Sequence, residues 1–352
     1  MNSNTVAADV AARDRVWFVG GAVFVLVSIV VGASIGPAGP DWWRVPLALV
    51  DHLPLISFDT GVSDSEWAIV WKVRMPRVIL GCLVGGMLSI AGAGYQGVFR
   101  NPLVDPYLLG AAAGAGLGAT IALTVGRSAT AGWVIDPVPV VAFGFAVATV
   151  MVTYSVGAAF GGSRSGVTLV LAGVAVVSFT SAAQTFVLQR NLEAVREVFR
   201  WILGSLSNAS WGDVRLVAPY VIVSSIVLLL HRRHLDVFRV GDDEAATLGV
   251  SVGRTRFVIV IAATLGTAAV VSVSGLIGFV GLIVPHVVRL VAGARNRRVL
   301  PLSLMGGAGF LVLADVPGRM LSNPAETPIG VVTAFIGAPF FIYLLRTRRI
   351  SA

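Results

Sequence analysis

The sequence has little charge, a single cysteine and a single lysine. Charged residues make up 12% of its 352 positions, whereas 56% are hydrophobic. The lone Cys82 excludes an intramolecular disulfide framework and a cysteine metal cluster. The mean hydropathy of +0.86 lies far from that of a soluble globular domain. Because backbone groups in lipid must find hydrogen bonds within their own segment, this composition predicts an all-α integral membrane protein.

The shortage of lysine bears on ATP. A nucleotide-binding P-loop needs a lysine followed by serine or threonine, but Lys72 is followed by Val73. The chain therefore has no P-loop, and any ATP hydrolysis has to take place on another polypeptide. We expect no catalytic residue, metal site or bound cofactor in this chain.

Acidic residues are almost absent from the apolar runs. Carriers coupled to protons or sodium usually keep a carboxylate inside a span as a relay or an ion ligand. Asp315, near the end of one run, comes closest to such a position. The pattern argues against an ATP-independent secondary carrier or channel, which stays the alternative hypothesis. A membrane enzyme would need clustered catalytic polar residues, and the sequence offers none.

A membrane-spanning helix needs roughly 20 apolar residues, and the chain contains ten such runs. They lie at about 17–35, 78–98, 107–125, 138–160, 167–188, 214–230, 257–273, 276–291, 300–316 and 329–345. Residues 1–352 are thus predicted to form one transmembrane domain of about ten helices. The first run follows Arg13 and Arg15 as a secretory signal would, but its length and the later spans favour a span.

Arginine determines the predicted orientation. Of the 26 basic residues 25 are arginine, and the net charge is +8. Most arginine clusters fall on the cytoplasmic side if both termini are cytoplasmic, in line with the positive-inside rule. Residues 1–16 then form a cytoplasmic tail, 36–76 an external segment and 231–256 a cytoplasmic loop. The positive charge is therefore assigned to membrane orientation and not to nucleic-acid binding.

An acidic island, DDEAATLGV at residues 242–250, interrupts this apolar pattern. It is predicted to be a short cytoplasmic helix, with Asp242 or Asp243 capping its first turn and Gly249 ending its last. A small apolar face is expected from Ala245, Leu248 and Val250. A capped amphipathic helix in water indicates a docking element.

Several other features are interpreted as structural. Gln96 and Gln184 are expected to make hydrogen bonds between helices, and His286 beside Pro285 to be a hydrogen-bonded residue at a kink. Residues 190–201 carry charges at helical spacing and predict a short surface helix. Small residues at four-residue spacing favour close helix packing: Gly81 with Gly85, Gly110 with Gly114 and Gly118, and Gly157 with Gly161.

Four stretches, in this order, resemble the permease subunits of type II bacterial ABC importers for iron chelates, haem and cobalamin. They are RMPRVILGCLVGGMLSIAGAGYQGVFRNPLVDPYLLGAAAGAGLGA at 74–119, GDDEAATLGV at 241–250, SGLIGFVGLIVPHVVRLVAG at 274–293 and PAETPIGVVTAFIGAPFFIYLLR at 324–346. The likeness covers nearly everything after residue 70, whereas the first 70 residues match only loosely.

The resemblance implies a bundle of ten spans in the bacterial cytoplasmic membrane and a homodimer with a central path between the copies. It implies two ATP-binding cassette subunits, which bind ATP and Mg, and a periplasmic or lipid-anchored substrate-binding protein. The expected substrate is an iron-containing chelate, with ferric siderophore first, haem second and cobalamin third.

The resemblance also assigns three groups of residues. Coupling to the ATPase is expected at Asp242, Asp243, Glu244, Ala245, Leu248, Gly249 and Val250. Docking of the binding protein is expected at Arg74, Arg77 and Arg319, because the planar guanidinium fork suits bidentate contacts to carboxylates. The cytoplasmic gate is expected around Gly162, Ser163, Ser165 and Thr168, as a location without individual roles.

Overall fold

The computed structural model describes residues 3–51, 61–129, 136–161, 166–321 and 325–349, and over these residues the regular structure is helical. The α-helices are α1 (Ser3–Ser34), α2 (Arg44–Asp51), α3 (Asp64–Ile69), α4 (Met75–Val98), α5 (Ala111–Ala129), α6 (Pro137–Gly161), α7 (Gly166–Gln189), α8 (Val195–Ile202), α9 (Trp211–Leu230), α10 (Arg232–Val237), α11 (Asp242–Thr247), α12 (Val252–Ser274), α13 (Val280–Ala292), α14 (Asn296–Met320) and α15 (Ile329–Arg349). A π-helical turn, Val70–Arg74, joins α3 to α4, and 3-10 turns at Leu192–Ala194 and Phe238–Val240 precede α8 and α11.

The ten predicted runs all coincide with apolar helices. Within the described residues, seven helical stretches are long and apolar enough to cross a membrane: Arg13–Ser34, Asp64–Val98, Pro137–Phe160, Val167–Gln189, Trp211–Leu230, Val252–Ser274 and Asn296–Met320. Shorter apolar helices at Ala111–Thr124, Val280–Ala292 and Ile329–Leu344 account for the remaining three. The predicted all-α membrane architecture is confirmed.

The eighth run begins later than predicted, because the chain from 275 to 279 is not helical. Gly275 has a φ of +67°, and a side chain there would meet the Trp201 carbonyl oxygen. Phe279 also has a positive φ, +68°, which is uncommon for a bulky residue. Its ring lies against Gly337 of α15, where an added Cβ would come within 2.3 Å of the ring.

Helix α4 is the centre of the bundle and packs against α9, α12, α13 and α14. Glycines make the closest of these contacts possible. A Cβ added to Gly85 would lie 2.2 Å from the Gly307 oxygen of α14, and one added to Gly92 would lie 2.0 Å from the Gly281 oxygen of α13. Gly114 and Gly118 of α5 meet the backbone of α6 in the same way. The predicted small-residue spacing therefore serves packing within this chain.

Helices occupy parts of the three segments that are predicted to lie outside the spans. From residue 3, the predicted tail 1–16 is part of α1. The predicted external segment 36–76 contains α2, α3 and the π-turn, and α3, the π-turn and α4 form one helical stretch from 64 to 98. The predicted loop 231–256 contains α10, α11 and the start of α12.

Helix α1 begins and α15 ends at the same end of the bundle, which we call the termini end. There Asp14 of α1 pairs with Arg298 in the first turn of α14, and Asn296 donates to Asp236 of α10 at 2.9 Å. At the opposite end, the far end, Arg319 of α14 donates to the Gly32 carbonyl oxygen of α1 at 3.1 Å. The acidic island lies at the termini end and the predicted docking arginines at the far end.

Candidate functional site

The acidic island forms α11, but neither of its first two acids caps the helix. The N-cap position is Gly241, with a φ of +129° and no side-chain hydrogen bond, so the predicted capping by Asp242 or Asp243 is wrong. Asp242 instead accepts from Arg256 Nη2 of α12 at 2.9 Å and lies 3.3 Å from Arg100 Nη2, beyond the end of α4. This carboxylate therefore joins α11 to the ends of two spans.

The end of α11 follows the prediction for Gly249. This residue has a φ of +81°, and its N–H donates to the Ala246 oxygen at 3.0 Å. The N–H of Val250 reaches back to the Ala245 oxygen at 3.1 Å. These two bonds form a Schellman motif, which satisfies the last carbonyl groups of the helix and fixes its length.

The prediction places the apolar residues of α11 and its C-terminal end on one outward face. In the structure they divide between two directions. Ala245 is 0% exposed and Val250 packs against the main core, so these two anchor the helix. Leu248 is 67% exposed, and Val240, just before the helix, is exposed as well. Asp243 and Glu244 are also exposed. The surface that a partner can contact is thus Leu248 and Val240 beside two acids, on a helix fixed from below.

The structure brings in two arginines that sequence reasoning did not assign to the site. Arg256 is 1% exposed and lies five residues inside the N-terminal end of α12. Arg100 follows α4 directly and has a φ of +51°. A buried charge needs a charged partner, so an arginine directly before an apolar run and close to an acidic segment was the available signal for this pairing.

The predicted docking arginines are buried at the far end. Arg77 donates to both Asp315 oxygens at 2.8 and 2.9 Å and to Glu326 at 2.9 Å. Arg319 Nε lies 3.1 Å from Asp315, while Arg74 donates to backbone oxygens of residues 33, 34, 36 and 38.

These contacts correct the prediction that Arg74, Arg77 and Arg319 present free guanidinium forks to a partner. All three are less than a tenth exposed, and their donors are directed to acceptors of the same chain. The four-residue spacing of Asp315 and Arg319 was a sequence signal for this internal pairing. Among the side chains that the structure describes, the exposed arginines of the far end are Arg190, Arg196, Arg200 and Arg215. Arg196 and Arg200 lie on α8, which confirms the predicted short surface helix.

The predicted gate region falls mostly outside the described residues, namely Gly162, Ser163 and Ser165. Thr168 lies in the first turn of α7 and is partly buried. Its role stays a prediction.

Two predictions about polar residues are confirmed. Gln96 of α4 donates to the Gly281 oxygen of α13 at 3.1 Å and accepts from Arg289 at 2.5 Å. Gln184 of α7 donates to Thr120 of α5 at 3.1 Å.

His286 is buried, with its ring edge-to-face against Phe340 at 6.1 Å. Among the described residues, no group of three or more His, Cys, Asp or Glu side chains could hold a metal ion.

Comparison with known proteins gives consistent matches over almost the whole chain. The sequence model of the FecCD transport family matches residues 22–347, so the likeness reaches further into the N-terminal 70 residues than the motifs indicated. The cobalamin import system permease protein BtuC of Halobacterium salinarum is 36% identical, over 98% of this chain and 99% of its own length. The hemin transport system permease protein HmuU of Yersinia pestis is 35% identical, over 83% and 87%.

A solved structure shows the same architecture. It is described as an inward-facing conformation of a metal-chelate type ABC transporter and has a TM-score of 0.78 at 27% identity, covering 94% of this chain and 98% of its own. These matches agree with the ten apolar helices and the anchored surface helix α11, and together they identify the family of the chain. It belongs to the FecCD transport family and is an ABC importer permease.

Proposed function

We propose that this chain is the membrane subunit of an importer driven by ATP hydrolysis on separate ATPase subunits, which bind ATP and Mg and dock at α11. The observation that carries the proposal is the double contact of Asp242 with Arg100 and Arg256. A surface helix needs no such contacts if it only closes a loop, whereas a helix that transmits force must be fixed to the spans it moves. The exposed Leu248 supplies an apolar contact, and Asp243 and Glu244 supply charge complementarity to basic residues of the ATPase.

The mechanism follows from these connections. A displacement of α11 is passed through Asp242 to the end of α4 and to α12, and α4 in turn packs against α9, α13 and α14. Closely packed helices respond by tilting as units rather than by deforming, which opens one gate and closes the other in turn. The chain around residues 162–168, at the start of α7, is the proposed cytoplasmic gate.

The orientation follows from where the charges lie. We assign the termini end to the cytoplasm, because it carries Arg100, Arg239, Arg254 and the paired Arg297 and Arg298. The far end then faces outward in the bacterial cytoplasmic membrane. A homodimer is proposed, with the translocation path between the two copies. An apolar cavity of about 540 Å³ lies between the loops after α8 and α12 and the N-terminal half of α15. It is on an exposed face of the kind that a second copy can cover.

Docking of the binding protein is proposed at the outer face, on the exposed arginines. Arg196 and Arg200 on α8 are available to carboxylates, whereas Arg77 and Arg319 are already paired with Asp315. A periplasmic or lipid-anchored protein with acidic lobes would meet α8 from each of the two copies.

The proposed substrate is a bulky metal chelate, with ferric siderophore ahead of haem and cobalamin. The matched proteins carry names that refer to cobalamin, hemin and metal chelates, which are alike in size and in holding a metal within an organic ligand. The order is tested by offering all three to the cognate binding protein and measuring which ligand it retains and delivers.

Liposomes containing this chain, its ATPase and its binding protein test the importer itself. We expect uptake of the chelate with ATP and none with a non-hydrolysable analogue. Uptake that follows a proton or sodium gradient without ATP would instead support the secondary carrier. Against that alternative, the buried carboxylate of Asp315 is paired with two arginines and so is not a free proton relay.

A further inference from the structure

A basic cavity of about 270 Å³ opens at the termini end beside α11. Its charged lining consists of Arg100 at the end of α4, Arg239 in the turn before α11 and Arg289 in the last turn of α13, and we call it the arginine pocket. No acidic residue of the described chain is among those that line it. The ends of α4, α13 and α14 and the turn before α11 thus meet at one cluster of positive charge.

The pocket arginines are held mainly by neutral acceptors, which leave their charge uncompensated. Arg289 Nη1 donates to Gln96 Oε1 at 2.5 Å, and Arg239 Nη1 donates to the Ala294 oxygen at 3.2 Å. Among the residues that the structure describes, Arg100 alone of the three has a carboxylate partner, Asp242, and that carboxylate is shared with Arg256.

The net charge around the arginine pocket stays positive when the nearest acids are included. Arg100, Arg239, Arg256 and Arg289 contribute four positive charges, and Asp236 and Asp242 contribute two negative ones. The difference is an excess of two positive charges, which is enough to neutralise the single negative charge of a phosphodiester or the charge of a free phosphate group near −2.

We propose that the arginine pocket binds a phosphate group, and that the group is the head group of an anionic phospholipid. Guanidinium forks match the oxygens of a phosphate, and basic pockets between spans on the cytoplasmic side suit such head groups. The surface beside it favours a lipid as the source. Leu290, next to Arg289, is 69% exposed, and Val287 and Val291 of the same helix are exposed as well. Acyl chains can cover this apolar side of α13 while the phosphate enters the pocket.

Occupation of the arginine pocket also affects the coupling of α11 to the spans, a step that rests on the proposed function. A phosphate on Arg100 competes with Asp242 for the same guanidinium, so an occupied pocket loosens one of the two links between α11 and the spans. The binding of lipid itself requires neither an ATPase nor transport, so it is tested independently.

The test measures lipid binding to the purified full-length chain in neutral detergent by native mass spectrometry. Phosphatidylglycerol is titrated against phosphatidylcholine, and inorganic phosphate is added in a separate series. Arg239→Gln is expected to weaken phosphatidylglycerol binding about fivefold, since a basic residue at an anionic membrane surface contributes about 1 kcal/mol. Arg239→Lys should retain most of the binding. Arg254→Gln, an equal charge change at an exposed residue outside the lining, should leave it unchanged.

The series distinguish the source of the phosphate. Preference for phosphatidylglycerol, lost with Arg239→Gln, supports the lipid head group. Binding of inorganic phosphate with the same dependence on Arg239, but no preference between the lipids, supports a phosphate site filled from solution. Equal binding of both lipids, with no effect of Arg239→Gln or of phosphate, overturns the site. The thermal unfolding midpoint of each variant shows that the fold is retained.

Discussion

Arg77 holds two carboxylates from its place inside the far end of the bundle, Asp315 through Nε and Nη2 and Glu326 through Nη1 alone. Arg319 adds a second positive charge next to Asp315, so two arginines balance two acids. Burying four charges is costly unless each is paired, and removing one leaves its partners uncompensated. At this scale, the outer ends of α4 and α14 are held together by charge, whereas their middles are held by contacts at glycine.

Arg77→Met is expected to lower the free energy of unfolding by roughly 3–5 kcal/mol, because Asp315 and Glu326 stay buried or half-buried without this partner. Thermal unfolding of the purified chain in detergent measures the change. Arg196→Met on the exposed helix α8 is the matched control, with an expected change below about 1 kcal/mol. If both variants unfold at the same temperature, the charge cluster does not stabilise the bundle.

At the scale of helices, α11 combines a fixed base with an exposed tip. Ala245, Val250 and the Schellman motif fix its position, and Asp242 links it to α4 and α12. Leu248 is left outside this arrangement and is free to contact another protein. A helix of six residues has little stability of its own, so its shape depends on these contacts.

Leu248→Asp is expected to release the ATPase or to uncouple ATP hydrolysis from transport, because a charge replaces the apolar contact. Uptake and ATP hydrolysis are measured together in reconstituted liposomes, and affinity for the binding protein should be unchanged. Leu192→Asp, an equal change at an exposed leucine next to α8, should leave the coupling intact. Normal coupling in Leu248→Asp would show that the ATPase does not use this face of α11.

Gly85→Ala tests the contact between α4 and α14. The new Cβ would lie 2.2 Å from a backbone oxygen of α14, so the helices must separate, and we expect a loss of about 2–3 kcal/mol in stability. Gly144→Ala of α6 is the control, since nothing lies within 4 Å of its Cβ and alanine favours a helix. Thermal unfolding should rank Gly85→Ala well below the native chain and Gly144→Ala at or slightly above it. The opposite ranking would contradict this packing.

At the scale of the whole molecule, the two ends of the bundle differ in how they use arginine. The termini end collects arginines around α11 and the arginine pocket, while the far end buries three and exposes others on and near α8. Under the proposed function, this division puts ATPase coupling and reception of substrate at opposite ends of α4. Energy from one end can therefore reach the other through the central helix.

Arg196→Glu together with Arg200→Glu is expected to weaken binding of the substrate-binding protein at least tenfold, because two attractive charges become repulsive. Surface plasmon resonance at low and high salt measures the affinity, and the defect should shrink as salt screens the charges. Arg254→Glu, at the termini end, should have no effect. An unchanged affinity at low salt would remove α8 from the docking surface.

Local sequence patterns were enough to predict ten apolar helices, the surface helix α8 and the end of α11 at Gly249. These features depend on neighbours in sequence, because helical periodicity, charge spacing and a left-handed glycine act within a few residues. The late start of α13 escaped prediction because the break around Phe279 is imposed by contacts with α15.

The sequence by itself determined that the chain is a helical membrane protein without a P-loop, and its motifs indicated the family. Only the tertiary structure decided which arginines are available to partners. Arg77 and Arg196 have the same chemistry, but Arg77 faces Asp315, which is distant in sequence and adjacent in the bundle. Likewise, Asp242 caps nothing because Arg256 reaches it from α12 and Arg100 reaches it from the chain just after α4. Long-range charge pairing depends on which helices meet, and that is fixed by packing along their whole length.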